Sequence, residues 1–211
     1  MSDVFTNEGA YRWRRLSPEQ RIQVLAARKQ EGRPWHSPPH FAVGQAMDYH
    51  ITAACYEHRP MIGHSPERME EFANDLLAVL EASTSQMYAW CLLPNHYHLL
   101  VRVAVLNHLT QSLGRLHGRC SHRWNGDDGL RGRKIFYRAS DRSIRTERHF
   151  WVTVNYIHHN PVHHGYVDQW TEWPWSSATE FLKRTGREET VRIWREYPVR
   201  NFGRGWDDKD M

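Results

Sequence analysis

Ten consecutive residues, Pro94-Asn95-His96-Tyr97-His98-Leu99-Leu100-Val101-Arg102-Val103, constrain the fold more than any other stretch of the chain. Leu99, Leu100, Val101 and Val103 are the apolar and β-branched types that suit a buried sheet, so a strand is predicted over 96–103. Side chains alternate across a strand, which sends His96 and His98 to one face and Tyr97 to the other. Two imidazoles then stand close together on a rigid base.

A second segment, Asn155-Tyr156-Ile157-His158-His159-Asn160-Pro161-Val162, follows some sixty residues later. Ile144, Phe150, Val154 and Ile157 recur roughly at helical spacing, which predicts a helix from about Ser143 that ends at Pro161. Tyr156 and Asn160 are four apart and face the same way on such a helix. Because a residue before proline is pushed from helical dihedrals, Asn160 is expected in a last, irregular turn.

If this helix lies beside the strand, two imidazoles and an amide oxygen make a partial shell for Mg²⁺ or Mn²⁺, with positions open for phosphate oxygens and water. A phenol with a pKa near ~10 is a poor nucleophile at neutral pH and needs a cation or a base to attack a phosphodiester. Taken singly, each motif has a plainer reading. A His-x-His on a strand is most often an ordinary half-exposed pair, and Tyr156 alone suits a helix-packing aromatic with its hydroxyl at the core edge. Trp173-Pro174-Trp175-Ser176-Ser177 reads as a structural lid that buries indoles and carries no chemistry. The conjunction is what favours a site.

With these residues in order, the chain resembles the REP-associated tyrosine transposases, a branch of the single-tyrosine HUH nucleases in the IS200-like group. The matching runs are Pro94-Asn95-His96-Tyr97-His98-Leu99-Leu100, Tyr156-Ile157-His158-His159-Asn160-Pro161-Val162 and Trp173-Pro174-Trp175-Ser176-Ser177, and the likeness covers roughly residues 12 to 182. It implies that His96 and His98 are metal ligands, that Asn160 completes the site and that Tyr156 is the nucleophile. Where the family usually carries an arginine after Asn-Pro-Val, this chain has His163-His164. A phosphate contact at His163 would therefore be weaker at neutral pH.

The wider pattern suits a ferredoxin-like α+β fold. A strand beginning near Ala46 carries Tyr49, Ile51 and Ala53. A helix over 66–82, strands over 86–92 and 96–103, a helix over 107–124 and a strand over 134–137 follow, giving βαββαβ with an antiparallel sheet. Before it, Ser17-Pro18-Glu19-Gln20 marks a helix start with a capping box. That helix runs to about Glu31, and a proline-rich connector follows. The expected organisation is an N-terminal extension over 1–45, the catalytic domain over 46–182 with a C-terminal helix and lid, and a tail over 183–211.

The 211 residues include 28 Lys and Arg against 24 Asp and Glu, a formal charge of +4, which suits a polyanionic partner. Cys55, Cys91 and Cys120 are widely spaced and odd in number, as in a reduced cytosolic protein. The absence of a signal-like start and of any long apolar run predicts a cytoplasmic, nucleoid-associated location with no membrane contact. Arg115, Arg119 and Arg123 align on one helix face. Arg131, Arg133, Lys134, Arg138 and Arg142 cluster around the next strand. As a group these are read as a phosphate track; singly, each is better read as a solvated surface charge. Arg12, Arg14 and Arg15, interleaved with Tyr11 and Trp13, suit single-strand stacking or groove insertion, or an indole packed on the core.

The leading expectation is a metal-dependent tyrosine transposase acting as a single-strand endonuclease and strand transferase. From the resemblance, its substrates would be REP-type DNA hairpins, cut through a 5′-phosphotyrosine. One alternative is a catalytically silent, domesticated hairpin-binding protein; another is a metal-dependent hydrolase that uses water. A monomer is expected, with a dimer left open.

Overall fold

The computed structural model describes residues 46–203 and, between 17 and 30, Ser17, Glu19, Gln20, Ile22, Gln23, Ala26 and Gln30. The chain divides into two compact units, one of Ala42–Phe202 and one of Met1–Phe41 with Gly203–Met211. In the smaller unit, Ser17 Oγ accepts from the Gln20 N–H at 3.3 Å and Gln20 Oε1 accepts from the Ser17 N–H at 2.8 Å, closing the expected capping box. Glu19, Gln20, Ile22, Gln23, Ala26 and Gln30 are helical. Arg12, Arg14, Arg15 and the proline-rich connector lie outside the described residues.

The larger unit holds four strands: β1 (Met47–Ala54), β2 (Gln86–Leu92), β3 (His96–Val103) and β4 (Ser140–Ser143). Its helices are α1 (Pro66–Ser83), α2 (Leu106–Asp127), α3 (Glu147–His163), α4 (Ala178–Thr185) and α5 (Arg187–Glu196). The sheet order is β2-β3-β1-β4, antiparallel throughout, which is the ferredoxin-like arrangement. Helices α1 and α2 pack against each other. They share a core with one face of the sheet, where Ile51, Tyr97, Leu99 and Val101 meet Phe72, Leu76, Leu109, Leu113 and Trp124. Helix α3 lies against β2 and β3. No described helix is long and apolar enough to cross a membrane.

Local chemistry explains the helix starts. Ser65 caps α1, its Oγ accepting from the Arg68 N–H, and Pro66 takes the first turn, where no amide hydrogen is needed. Thr146 caps α3 by accepting from the His149 N–H at 3.1 Å. That start corrects the expected one at Ser143. Residues 140–143 form instead the edge strand β4, whose polar sequence Ser-Asp-Arg-Ser shows no apolar alternation. The strand expected over 134–137 reduces to one bridge, Cys55 to Phe136, with Ile135 and Phe136 buried. An edge strand takes its register from backbone pairing and tolerates polar side chains, so side-chain pattern misplaces it.

At the other end, the boundary expected at residue 182 moves outward. Helix α4 runs past it, Gly186 turns the chain at φ 82° and α5 follows within the same unit. Phe181 stacks on Trp194 at 5.4 Å, Ile193 is buried, and Asn155 Nδ2 donates to the Tyr197 carbonyl. The Trp-Pro-Trp-Ser-Ser segment pairs with the edge of β2. The Leu92 N–H donates to the Trp175 carbonyl at 2.9 Å and the Ser177 N–H to that of Trp90 at 3.0 Å. The indoles of Trp173 and Trp175 are half-buried, and that of Trp173 donates to the Leu92 carbonyl.

Two of the buried imidazoles, His117 and His158, have uncharged polar partners. His117 stacks on Phe136 at 4.2 Å beside the Tyr97 hydroxyl, and burial pushes its pKa down to about 4. His158 contacts Ser177 Oγ at 3.0 Å, and burial pushes it down to about 3. Unfolded, both would titrate near 6.5. The unfolded chain therefore binds more protons below that pH, and stability that is complete above 6.5 is lost as pH falls toward 4. Each group should cost on the order of 1–3 kcal/mol by pH 4.5. Thermal melts from pH 7.5 to 4.5 should show a falling midpoint, with a shallower fall in His117→Gln.

Candidate active site between the sheet and helix α3

Strand alternation places His96 and His98 on the sheet face opposite the α1–α2 core. Their rings lie 5.0 Å apart, centroid to centroid, and both are buried. Tyr97 points the other way, its hydroxyl 3.0 Å from His117 Nε2. Helix α3 crosses the histidine pair. The Tyr156 ring meets His98 edge-on at 5.1 Å, and Asn160 Oδ1 lies 3.1 Å from His96 Nε2. Tyr156 is 5% exposed and Asn160 is fully buried.

Pro161 does not end the helix. Helix α3 continues to His163, Asn160 sits within it, and the His164 N–H still donates to the Asn160 carbonyl at 3.0 Å. So close to the helix C-terminus, proline forfeits little of the ladder. The buried Asn160 side chain holds its turn in place, which corrects the expected irregular ending.

The neighbours of His96 fix which of its ring nitrogens carries the proton. Asn95 Nδ2 donates to the His58 carbonyl at 3.1 Å, so Asn95 Oδ1 is the atom that faces His96 Nδ1, at 2.8 Å. That oxygen can only accept, so Nδ1 carries the proton. Nε2 of the neutral ring then has a lone pair, yet it too faces an amide oxygen, Asn160 Oδ1. Facing lone pairs at this distance are relieved either by rotation of the Asn160 amide, which brings Nδ2–H to Nε2, or by a metal ion held between that nitrogen and Oδ1. The donor set of two imidazoles and an amide oxygen fits a divalent ion with open positions. Among the described residues, no group of three His, Cys, Asp or Glu side chains is arranged to hold a metal. The third donor would have to be the amide.

Several neighbours escape a reading by motif. His50 and Thr52 on β1 contact His98 Nδ1 at 3.3 and 3.0 Å, and the His50 ring also meets Tyr156. The His164 ring lies 5.0 Å from that of His96, and Phe202 meets Tyr156 at 5.6 Å. His58 approaches His96 from a loop in which Glu57 and His58 have φ of 55° and 49°. Two consecutive non-glycine residues in the left-handed region carry strain of about 1–3 kcal/mol each. Beside this loop, Gly63 packs so tightly on Pro94 that a Cβ would lie 2.4 Å from the proline Cβ, which ties the loop to the turn before His96. The alternation His50-Ile51-Thr52 is legible in sequence. Its position opposite His98 is a matter of register.

The cationic residues fall into separate places. Arg115, Arg119 and Arg123 stand on α2, which packs on the other side of the sheet from Tyr156. Arg123 pairs with Glu71 of α1. Arg133 and Arg68 bracket Asp128, and their hydrogen bonds hold its carboxyl down at about 2. Lys134 lies about 5 Å above the Tyr56 and Tyr137 rings. Arg131, Arg138 and His163 are exposed. Arg142 stands directly opposite His50 on β4; burial lowers its pKa, and the Tyr156 phenol opposes that shift. Guanidinium and phenol are therefore within electrostatic reach.

The chain is 30% identical over 127 residues to a REP-associated tyrosine transposase of Haemophilus influenzae, a match spanning 54% of this chain and 71% of the relative. Among solved structures, it is similar to a REP-associated tyrosine transposase bound to a REP hairpin, with a TM-score of 0.55 and 18% identity over 72% of this chain and 87% of that one. At that identity the likeness concerns the fold. No family model matches the chain.

The division of the cations is measurable. Arg133→Ala should lower unfolding free energy by about 1–3 kcal/mol in urea titrations, because it strips a charged partner from Asp128. Arg119→Ala, exposed on α2, should stay within about 0.5 kcal/mol of the parent.

Proposed function

The chain belongs to the REP-associated tyrosine transposases, and from that premise we propose that it cuts and rejoins single-stranded DNA at REP-type hairpins through a covalent phosphotyrosine. One observation carries the reading: Tyr156, His96, His98 and Asn160 converge on one buried sheet face, with ring and amide contacts of 3.1–5.1 Å.

Tyr156 is the nucleophile in this scheme. Its Oη forms a bond to phosphorus as the bond from phosphorus to the 3′-oxygen breaks. The phenolic proton is lost and the departing oxygen is released as a 3′-hydroxyl. The 5′ side stays esterified to the enzyme, so one phosphodiester replaces another and the reverse reaction remains accessible. Burial against His50, His98 and Phe202 holds the phenol in one orientation, which lowers the entropic cost of attack. The Arg142 guanidinium, within electrostatic reach of the phenol, is placed to offset negative charge as it develops at Tyr156 Oη during attack.

His96, His98 and Asn160 are the residues that would hold Mg²⁺ or Mn²⁺. When bound, the ion would supply Lewis-acid polarisation of the scissile phosphate. Arg138, Arg142 and His163 are the cations we assign to the DNA backbone, a contact that weakens with salt. Arg115 and Arg119 lie too far around the fold to share it, and Arg123 and Arg133 serve the scaffold.

Labelled hairpin single strands incubated with Mg²⁺ or Mn²⁺ should yield a protein–DNA adduct that survives denaturation. Tyr156→Phe should abolish the adduct and slow cleavage by at least about 10³-fold while hairpin binding persists. Cleavage that continues in this variant, or that never gives an adduct, refutes the assignment.

A further inference from the structure

Strand β1 supplies a polar support for His98 that lies outside the histidine-pair and tyrosine motifs. Thr52 is paired across the sheet with His98, and His50 projects from the same face two residues earlier. Thr52 Oγ1 lies 3.0 Å from His98 Nδ1 and 3.5 Å from His50 Nε2, while His50 Nε2 lies 3.3 Å from His98 Nδ1. The three groups close a triangle on the side of His98 away from its Nε2. His50 and His98 are 3% and 0% exposed, so bulk water does not compete for these contacts.

One assignment of protons satisfies the triangle with His98 neutral and its proton on Nδ1, which leaves the lone pair on Nε2. His98 Nδ1–H donates to Thr52 Oγ1, the Thr52 hydroxyl donates to His50 Nε2, and His50 carries its own proton on Nδ1. The opposite tautomer of His98 would put a proton on Nε2, where a metal ligand must have a lone pair. A metal-binding imidazole is usually held in this manner at its other nitrogen, and loss of the outer partner costs 10–100-fold in affinity. His96 is held comparably, by Asn95 at Nδ1. The two supports come from different elements: a turn for His96 and the neighbouring strand for His98.

We infer that Thr52 and His50 are positioning residues that fix the tautomer and ring orientation of His98 for metal binding. The inference rests on the reading of His96 and His98 as ligands. His50 has a second contact, edge-on to the Tyr156 ring at 6.1 Å, which places the same support beneath both the ligand and the nucleophile.

Mn²⁺ binding to the full chain, measured by calorimetry and by electron paramagnetic resonance without DNA, tests this apart from turnover. Thr52→Val keeps the shape and removes the hydroxyl, and should weaken Mn²⁺ binding about 10–100-fold with an unchanged circular dichroism spectrum. Thr52→Ser should restore affinity to within about threefold, because the hydroxyl returns. His50→Phe keeps a ring against His98 and Tyr156 but lacks Nε2, and should also weaken binding. A purely structural role would lower the melting temperature in Thr52→Val and leave Mn²⁺ affinity untouched; that result, or equal affinities in all three variants, overturns the inference. His98→Ala separates the two levels. If the parent binds Mn²⁺ and His98→Ala binds it as well, the ligand assignment itself is wrong and the support falls with it. If His98→Ala alone loses binding, the ligand assignment stands and the inference fails.

Discussion

The contact between Asn160 and His96 ties the rest of the site together. Across 3.1 Å it joins a helix side chain to a strand side chain, both buried, and so sets the height and rotation of α3 over the sheet. Tyr156, one turn earlier on the same helix, is delivered to His98 by the same placement. A shift of a single residue along α3 would carry the phenol about 100° around the helix axis and away from the histidines. Buried polar contacts of this sort are costly when unmet and specific when met, which suits them to fixing one arrangement among several of similar apolar packing.

A second polar anchor works on the far side of the same helix. Ser177 Oγ accepts from the Trp90 N–H at 2.9 Å and lies 3.0 Å from His158 Nε2, joining β2, α3 and the Trp-Pro-Trp-Ser-Ser segment in one cluster. The aromatic rings of Trp170, Phe181 and Trp194 surround His158 and carry α4 and α5 onto α3. The lid segment thereby covers the edge of β2, and α3 is held on two sides, by Asn160 against His96 of β3 and by its own His158 against Ser177 of the lid.

Much of this was legible in the residues. The strands over 86–92 and 96–103 match their expected bounds, because buried strands carry an apolar pattern through their whole length. The helix over 66–82 differs by one residue, since Ser65, Pro66 and the Met69, Phe72, Leu76, Leu80 stripe mark it at the N-terminus and along its face. Polar elements were the hard ones. Strand β4 is Ser-Asp-Arg-Ser and exists through pairing with β1, and the start of α3 is set by a single threonine hydroxyl. The arginines illustrate the same limit: spacing aligns Arg115, Arg119 and Arg123, but only packing shows that α2 faces away from Tyr156.

By itself, the sequence determined the alternation that separates His96 and His98 from Tyr97, the helical spacing of Tyr156 and Asn160, and the order of strands and helices. These follow from backbone periodicity, which is local. Tertiary structure alone decided that Thr52 stands opposite His98, that Arg142 stands opposite His50 beside the phenol, and that Pro161 is carried within α3. Those are matters of register and of burial across distant segments. Their energies depend on which surfaces exclude water together, and no short stretch of chain encodes that.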